Sequence, residues 1–168
     1  MERLRQLKIR QLARTDLDQV VALDAAITGR TRRAYFERRL AAALRQPELH
    51  VQFAAEEGAT LSGYALARVL EGEFGRTRPG LRLEMISVAP KAQSRGIGRA
   101  LHAALETEAK KRGIAEFRTA VAWRDHMMLR FLAPLGYLLA PALILNCEVH
   151  ASPMGAQEGA AESPMTRG

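Results

Sequence analysis

One stretch limits the fold more than any other. An apolar run ends at Val88, Pro90 follows, Gly96 and Gly98 stand two apart, and an Ala- and Leu-rich segment begins at once. Leu81 to Val88 alternates as a strand does, with Leu83 and Met85 to one side and Arg82, Glu84, Ile86 and Val88 to the other. After a loop over 89–95, Ile97, Ala100, Leu101, Ala104, Leu105 and Ala109 recur at helical spacing, and Gly113 stands where a C-terminal cap belongs. Glu106 with Lys110 and Glu108 with Arg112 add i,i+4 pairs. Glycines at the opening of a helix leave the first-turn N–H groups bare and let another molecule's oxygens approach the backbone. The block therefore predicts an anion seat, with Arg95 and Arg99 reinforcing the positive end of the helix dipole.

The flanking sequence supplies a sheet and helices. Residues 6–12 alternate as a half-exposed strand. Thr15 and Asp16 are suited to cap a helix carrying Leu17, Val20, Val21, Leu23, Asp24 and Ile27 that stops at Gly29. A second helix runs from about Thr31 to Gln46, with Tyr35, Phe36, Leu40, Ala43 and Leu44 on one side and Arg32, Arg33, Arg38, Arg39 and Arg45 largely elsewhere; Pro47 ends it. Leu49 to Glu56 and Leu61 to Leu70 read as a hairpin around Gly58, and Glu71 to Gly80 as a connection. Ile114 to Trp123 reads as a further strand. Asp125 can cap a short helix holding Met128, Leu129, Phe131 and Leu132 that closes at Gly136, and Tyr137 to Leu139 and Ala142 to Val149 read as the last extended pieces. Strands alternating with helices in this way predict a single α/β domain over residues 1–150. Residues 151–168, poor in large apolar side chains, read as a weakly ordered tail.

Composition narrows the class of protein. A chain of 168 residues with 48% hydrophobic content can bury a core, and it is one domain's worth of protein. Cys147 is the single cysteine, which excludes an internal disulfide framework and fits a reducing compartment. No stretch of about 18 apolar residues occurs and the first ten residues lack the apolar centre of a signal peptide, so a soluble, cytoplasmic protein is expected, without membrane partners. The net charge is +7, with 21 Arg against 4 Lys, which suits a polyanionic partner and equally an Arg-rich surface from a GC-rich genome. Aromatic residues make up only 5%, so nucleic acid, which needs stacking platforms, is not the expected partner. His50, His102, His126 and His150 lack metal-ligand spacing, and no metal is expected.

Spacing then decides among phosphate ligands. A dinucleotide fingerprint needs a third glycine where Leu101 stands, and a phosphate loop needs Gly-Lys-Ser/Thr where Gly98, Arg99 and Ala100 stand. The whole block instead resembles the GNAT superfamily of N-acetyltransferases, whose acetyl-CoA motif is Gln/Arg-x-x-Gly-x-Gly/Ala. It matches from Gln93 through Gly96 to Gly98, with Val88-x-Pro90 before and Leu135-Gly136-Tyr137 closing the region. The resemblance covers roughly Leu49 to Val149 and, more loosely, the two N-terminal helices. It implies a mixed, mostly antiparallel central sheet flanked by helices, and acetyl-CoA as co-substrate. Backbone N–H groups of Gln93, Ser94, Arg95, Gly96, Ile97, Gly98, Arg99 and Ala100 would bind the pyrophosphate. Ile86, Ser87 and Val88 would offer main-chain hydrogen bonds to the pantetheine arm at a splay in the sheet, and an N–H near Val88 would polarise the thioester carbonyl.

Acetyl transfer to an amine also needs a base, because the nucleophile is protonated at neutral pH. Glu84, on a largely apolar strand, is the candidate; an ion pair with Arg82 or Arg68 is the competing role. Related acetyltransferases also place a catalytic Glu at the position occupied here by Arg82. Many family members carry a Tyr, which protonates the departing thiolate, where this chain has Leu132; Tyr137, His126 or a water are the substitutes. Arg30, Arg32, Arg33, Arg38 and Arg39 read as a solvated helix face or, by family analogy, as one wall of the acceptor cleft that suits an anionic acceptor. The expectation is direct acetyl transfer to a primary amine. The alternatives are a non-catalytic acyl-CoA sensor, suggested by Leu132, and a basic nucleic-acid-binding module. The acceptor's identity is not encoded in the cofactor motif, and a homodimer is left open.

Overall fold

The computed structural model describes residues 7–71 and 77–145. The chain divides into two compact units between Arg124 and Asp125. In the first, β1 (Leu7–Gln11) leads through a 3-10 turn at Arg14–Asp16 into α1 (Leu17–Thr28) and α2 (Arg33–Arg45). Then come β2 (His50–Glu57), β3 (Thr60–Leu70), β4 (Gly80–Val88), α3 (Ile97–Lys111) and β5 (Phe117–Arg118). The five strands form one sheet in sequence order, antiparallel except for the parallel pair β4–β5. This is the mixed, mostly antiparallel sheet expected.

Successive strand residues face opposite ways, and neighbours on β3 show what covers each face. A Cβ added at Gly63 would meet Ile97 and Leu101 of α3. The ring of Tyr64 instead packs edge-on against Phe36 of α2, at 5.8 Å between centroids. Thus α3 covers one face, and α1 with α2 the other. Val20, Phe36, Leu40, Tyr64 and Leu66 are fully or almost fully buried on the second face. Leu101 and Leu105 of α3 are fully buried as well. Each such side chain contributes roughly 1.5–3 kcal/mol of burial.

Asp16 does not cap α1 with its side chain. Its carboxylate instead accepts from the Ala13 amide at 2.8 Å and from both terminal nitrogens of Arg10, at 2.7 and 2.8 Å. These charge-assisted bonds hold its carboxyl below the usual range and fasten β1 to the turn.

The strand expected over Ile114 to Trp123 shrinks to two paired residues. Leu81 and Arg82 are the last β4 positions in register with β5, after which the Thr119 hydroxyl donates to the Leu83 carbonyl at 2.9 Å. Trp123 stays 88% exposed, so its place in an apolar alternation does not bury it. In the second unit α4 (His126–Leu132) starts on Asp125, whose carboxylate accepts from the Met128 amide at 3.0 Å as expected. Tyr137–Leu139 forms no strand: Pro141 interrupts the segment, and Ala142 N–H turns back onto the Ala140 carbonyl at 2.8 Å. No strand occurs over 142–145 either; 146–149, Cys147, His150 and the expected tail lie outside the described residues.

Candidate active site

The loop between β4 and α3 contains two residues in the left-handed region, Ser94 at φ 61° and Gly96 at φ 82°. Before it, Ala92 N–H bonds the Ala89 carbonyl at 2.8 Å and Gln93 N–H reaches Pro90 at 3.5 Å; after it, Ala100 N–H bonds Gly96 at 3.0 Å. Between these, no acceptor among the described residues takes the N–H groups of Ser94, Arg95, Gly96, Ile97, Gly98 or Arg99. The expected seat is therefore narrower by its two ends, Gln93 and Ala100, whose amides the chain itself uses. Gln93 contributes differently: its Nε2 donates to the Val88 carbonyl at 3.2 Å and stitches the loop to the end of β4.

Electrostatics at this helix start favour an anion. Gly96 caps α3 with no side-chain bond, and the first turn holds no acidic residue. Arg99 stands there instead, exposed and without an ion pair among the described residues, against the positive end of the dipole. Arg95 is tied to Glu57 at the end of β2, at 2.5 Å, which anchors the loop to the sheet. Such an N-terminus is open to water and favours negative charge brought from outside.

Gly63, a position sequence reasoning passed over, lets α3 come this close. A Cβ there would lie 2.8 Å from the Ser87 carbonyl oxygen and 3.2 Å from both Ile97 and Leu101. A glycine in mid-strand was the available signal.

Beside the seat, β4 has an open edge. It pairs with β3 up to Gly63–Val88, whereas on its other side β5 stops at Arg82. From Glu84 to Val88 that edge has no strand partner among the described residues, so main-chain groups around Ile86, Ser87 and Val88 make no ladder pairing on that side. The resemblance implies a splay at this place.

The other side of β4 departs from the expected alternation. Leu66 pairs with Met85 but Ala67 with Leu83, which leaves Glu84 as the extra residue of a β-bulge. Glu84 and Met85 consequently both turn toward the α1–α2 layer. Glu84 Oε2 accepts from Arg39 Nε of α2 at 2.9 Å, and Met85 Sδ lies 3.1 Å from the Tyr64 hydroxyl. Glu84 does not share a face with Ile86 and Val88, because the bulge shifts the alternation by one. Its partner is neither Arg82 nor Arg68 but Arg39, which also donates to the Ala67 carbonyl at 2.9 Å. Arg39 belongs on the buried face of α2, with 8% exposure, and not with the outward arginines; its second terminal nitrogen has no partner among the described residues.

Around the bulge, Asp24 of α1 is fully buried and receives Arg32 through Nε at 2.8 Å and a terminal nitrogen at 2.5 Å. Tyr64 Oη sits 3.4 Å from Asp24 Oδ1 with the Ser87 hydroxyl beside it; burial, chiefly, pushes its phenol well above the ordinary range. Tyr35, raised by burial and by the Glu84 carboxylate, edges the same cluster. Arg32, Arg33 and Arg39 thus spend their charge on Asp24, on Asp18 with Glu37, and on Glu84, which removes most of the free positive charge expected of the α1–α2 segment. In the second unit, Leu132 is buried and Tyr137 half-buried, while His126 is exposed. No group of three metal-ligating side chains occurs among the described residues, and no described helix is long and apolar enough to cross a membrane.

The family model described as "Acetyltransferase (GNAT) family" matches residues 15–137. No curated protein matches the sequence. Among solved structures, aminoglycoside N-acetyltransferase AAC(6')-Iy in complex with CoA superposes with TM-score 0.77 at 20% identity, covering 88% of this chain and 98% of that one. AAC(6')-Ih from Acinetobacter baumannii superposes at 0.74 and 17% identity, covering 87% and 100%. The aminoglycoside acetyltransferase meta-AAC0020 from an uncultured soil metagenomic sample, in complex with sisomicin, gives 0.68 at 20% identity, covering 86% and 97%. These likenesses show a shared fold, and with the family match over most of its length the chain belongs to the GNAT family of acetyltransferases, enzymes that draw their acetyl group from acetyl-CoA.

Proposed function

We propose that the chain is an N-acetyltransferase that holds the diphosphate of acetyl-CoA on the Ser94–Arg99 amides and transfers the acetyl group directly to a primary amine. The observation that carries this reading is the uncapped, acid-free start of α3 beside the open edge of β4. Acetyl-CoA, when bound, supplies the thioester. The main chain from Ile86 to Val88 would align the pantetheine arm, and an N–H near Val88 would donate to the thioester oxygen as negative charge develops there. Glu84, one oxygen held by Arg39, has Oε1 left to take the proton of the attacking amine, directly or through a water. The C–N bond forms as the C–S bond breaks, and with Leu132 at the usual acid position the thiolate takes its proton from water.

The neighbours named for aminoglycosides support an amine as acceptor. The family match crosses both compact units, which supports one acetyltransferase domain over residues 1–150. A cytoplasmic location fits the supply of acetyl-CoA. The test is calorimetric titration with acetyl-CoA, joined to thiol release over a panel of primary amines. Wild type binds and turns over, while Gly98→Trp, which fills the seat, weakens binding at least 100-fold. Full affinity in that variant contradicts the placement of the seat. Tight binding with no turnover on any amine favours the sensor instead.

A further inference from the structure

A groove of about 490 Å³ lies away from the α3 seat, between the 3-10 turn before α1 and the outer face of α2. Arg38, Ala41 and Arg45 recur at i, i+3 and i+7 along α2 and form one stripe; Arg14 faces it from the turn. Leu17, Leu40 and Ala41 supply apolar lining, and Leu40 is 1% exposed at the floor. Several arginines elsewhere in this unit meet carboxylates: Arg10 meets Asp16 and Glu56, Arg32 meets Asp24, Arg39 meets Glu84, Arg95 meets Glu57 and Arg112 meets Glu108; others, such as Arg30, Arg68 and Arg99, stand singly, whereas the groove gathers three. Arg14, Arg38 and Arg45 have no ion pair among the described residues. Glu37, the acidic residue of the lining, is engaged by Arg33 at 3.0 Å.

Three guanidinium groups around one concavity repel one another, and the chain's surplus of positive charge makes a second copy an unsuitable occupant. Guanidinium forks match planar or tetrahedral oxyanions, an apolar floor matches a hydrocarbon or ring, and the volume falls in the range of metabolite sites. We propose that this groove is a second binding site, separate from the coenzyme seat, for a metabolite-sized organic polyanion: two or more carboxylate or phosphate groups on an apolar body. The site stands independently of the acetyl-transfer reading.

Calorimetry on the full chain saturated with acetyl-CoA tests it, using trimesate as carboxylate probe and ATP as phosphate probe. At least one probe binds wild type, and the better of the two names the oxyanion. Arg38→Gln with Arg45→Gln weakens that probe at least tenfold, as does Arg14→Ala, which leaves α2 untouched; acetyl-CoA affinity is unchanged in both. Absence of heat from both probes on wild type overturns the proposal, and so does undiminished affinity in both variants. Binding confined to single-stranded nucleic acid or an acidic peptide, with neither probe bound, overturns it in favour of a macromolecular partner.

Discussion

The coenzyme loop and the Glu84 bulge meet on one strand, yet they are built in opposite ways. The loop is contiguous: Gln93 to Ala100 fix its glycines, its bare amides and its charge within eight residues. The bulge is assembled over distance, with Arg39 reaching Glu84 across 45 positions and Tyr64 reaching Asp24 across 40. Anion binding needs backbone donors that a short sequence can present. Proton transfer needs a charged side chain held inside a packed layer, and only tertiary structure supplies that.

The contrast predicts unequal responses to substitution. Glu84→Gln lowers turnover about 10²–10⁴-fold while acetyl-CoA affinity stays within about twofold, measured by thiol release and calorimetry. Equal losses in both would merge the two regions into one functional unit. Arg39→Met leaves Glu84 half-buried without its cation, so denaturant unfolding records a loss of about 3 kcal/mol, the low end for a broken buried pair because Glu84 keeps 22% side-chain exposure.

Those two expectations also mark what was legible. The strand, loop and α3 follow from glycine spacing and helical periodicity, signals carried by neighbouring residues. Arg39 was not legible, since an arginine that follows Glu37 and Arg38 reads as solvated, and only its bonds to the Ala67 carbonyl and to Glu84 show that it turns inward. The bulge escaped for a related reason: the apolar phase shifts between Met85 and Ile86, which reads equally as a strand with two unequal faces, and the extra residue appears only when β4 is laid against β3. Strand β5 failed in the opposite sense, because a good alternation lacks meaning once the partner edge splays away.

Two smaller effects refine the picture. Gly63→Val forces a side chain against the Ser87 carbonyl and α3, at a cost of about 1–3 kcal/mol in stability. Because that contact sets the height of α3 over the sheet, acetyl-CoA affinity falls as well; stability lost with affinity intact would separate Gly63 from the seat. The smallest effect concerns pH. Burial holds His102 below its ordinary range, opposed by Glu106; burial together with Arg39 and Arg68 does the same to His50, opposed by Glu84 and Glu48. Groups with a lowered folded pKa add stability that is full above the unfolded value near 6.5 and is lost as pH falls below it. The thermal midpoint therefore drops between pH 7.5 and 5.5, with a shallower slope in His102→Leu; identical slopes would remove His102 from the account.

In the proposed function, bare amides at the start of α3 grip the coenzyme. Proton–nitrogen correlation spectra during an acetyl-CoA titration read those amides one by one. Large, saturable shifts are expected at Ser94, Arg95, Gly96, Ile97, Gly98 and Arg99, with Ala100 moving less. Saturable binding that leaves these six resonances in place would contradict that grip.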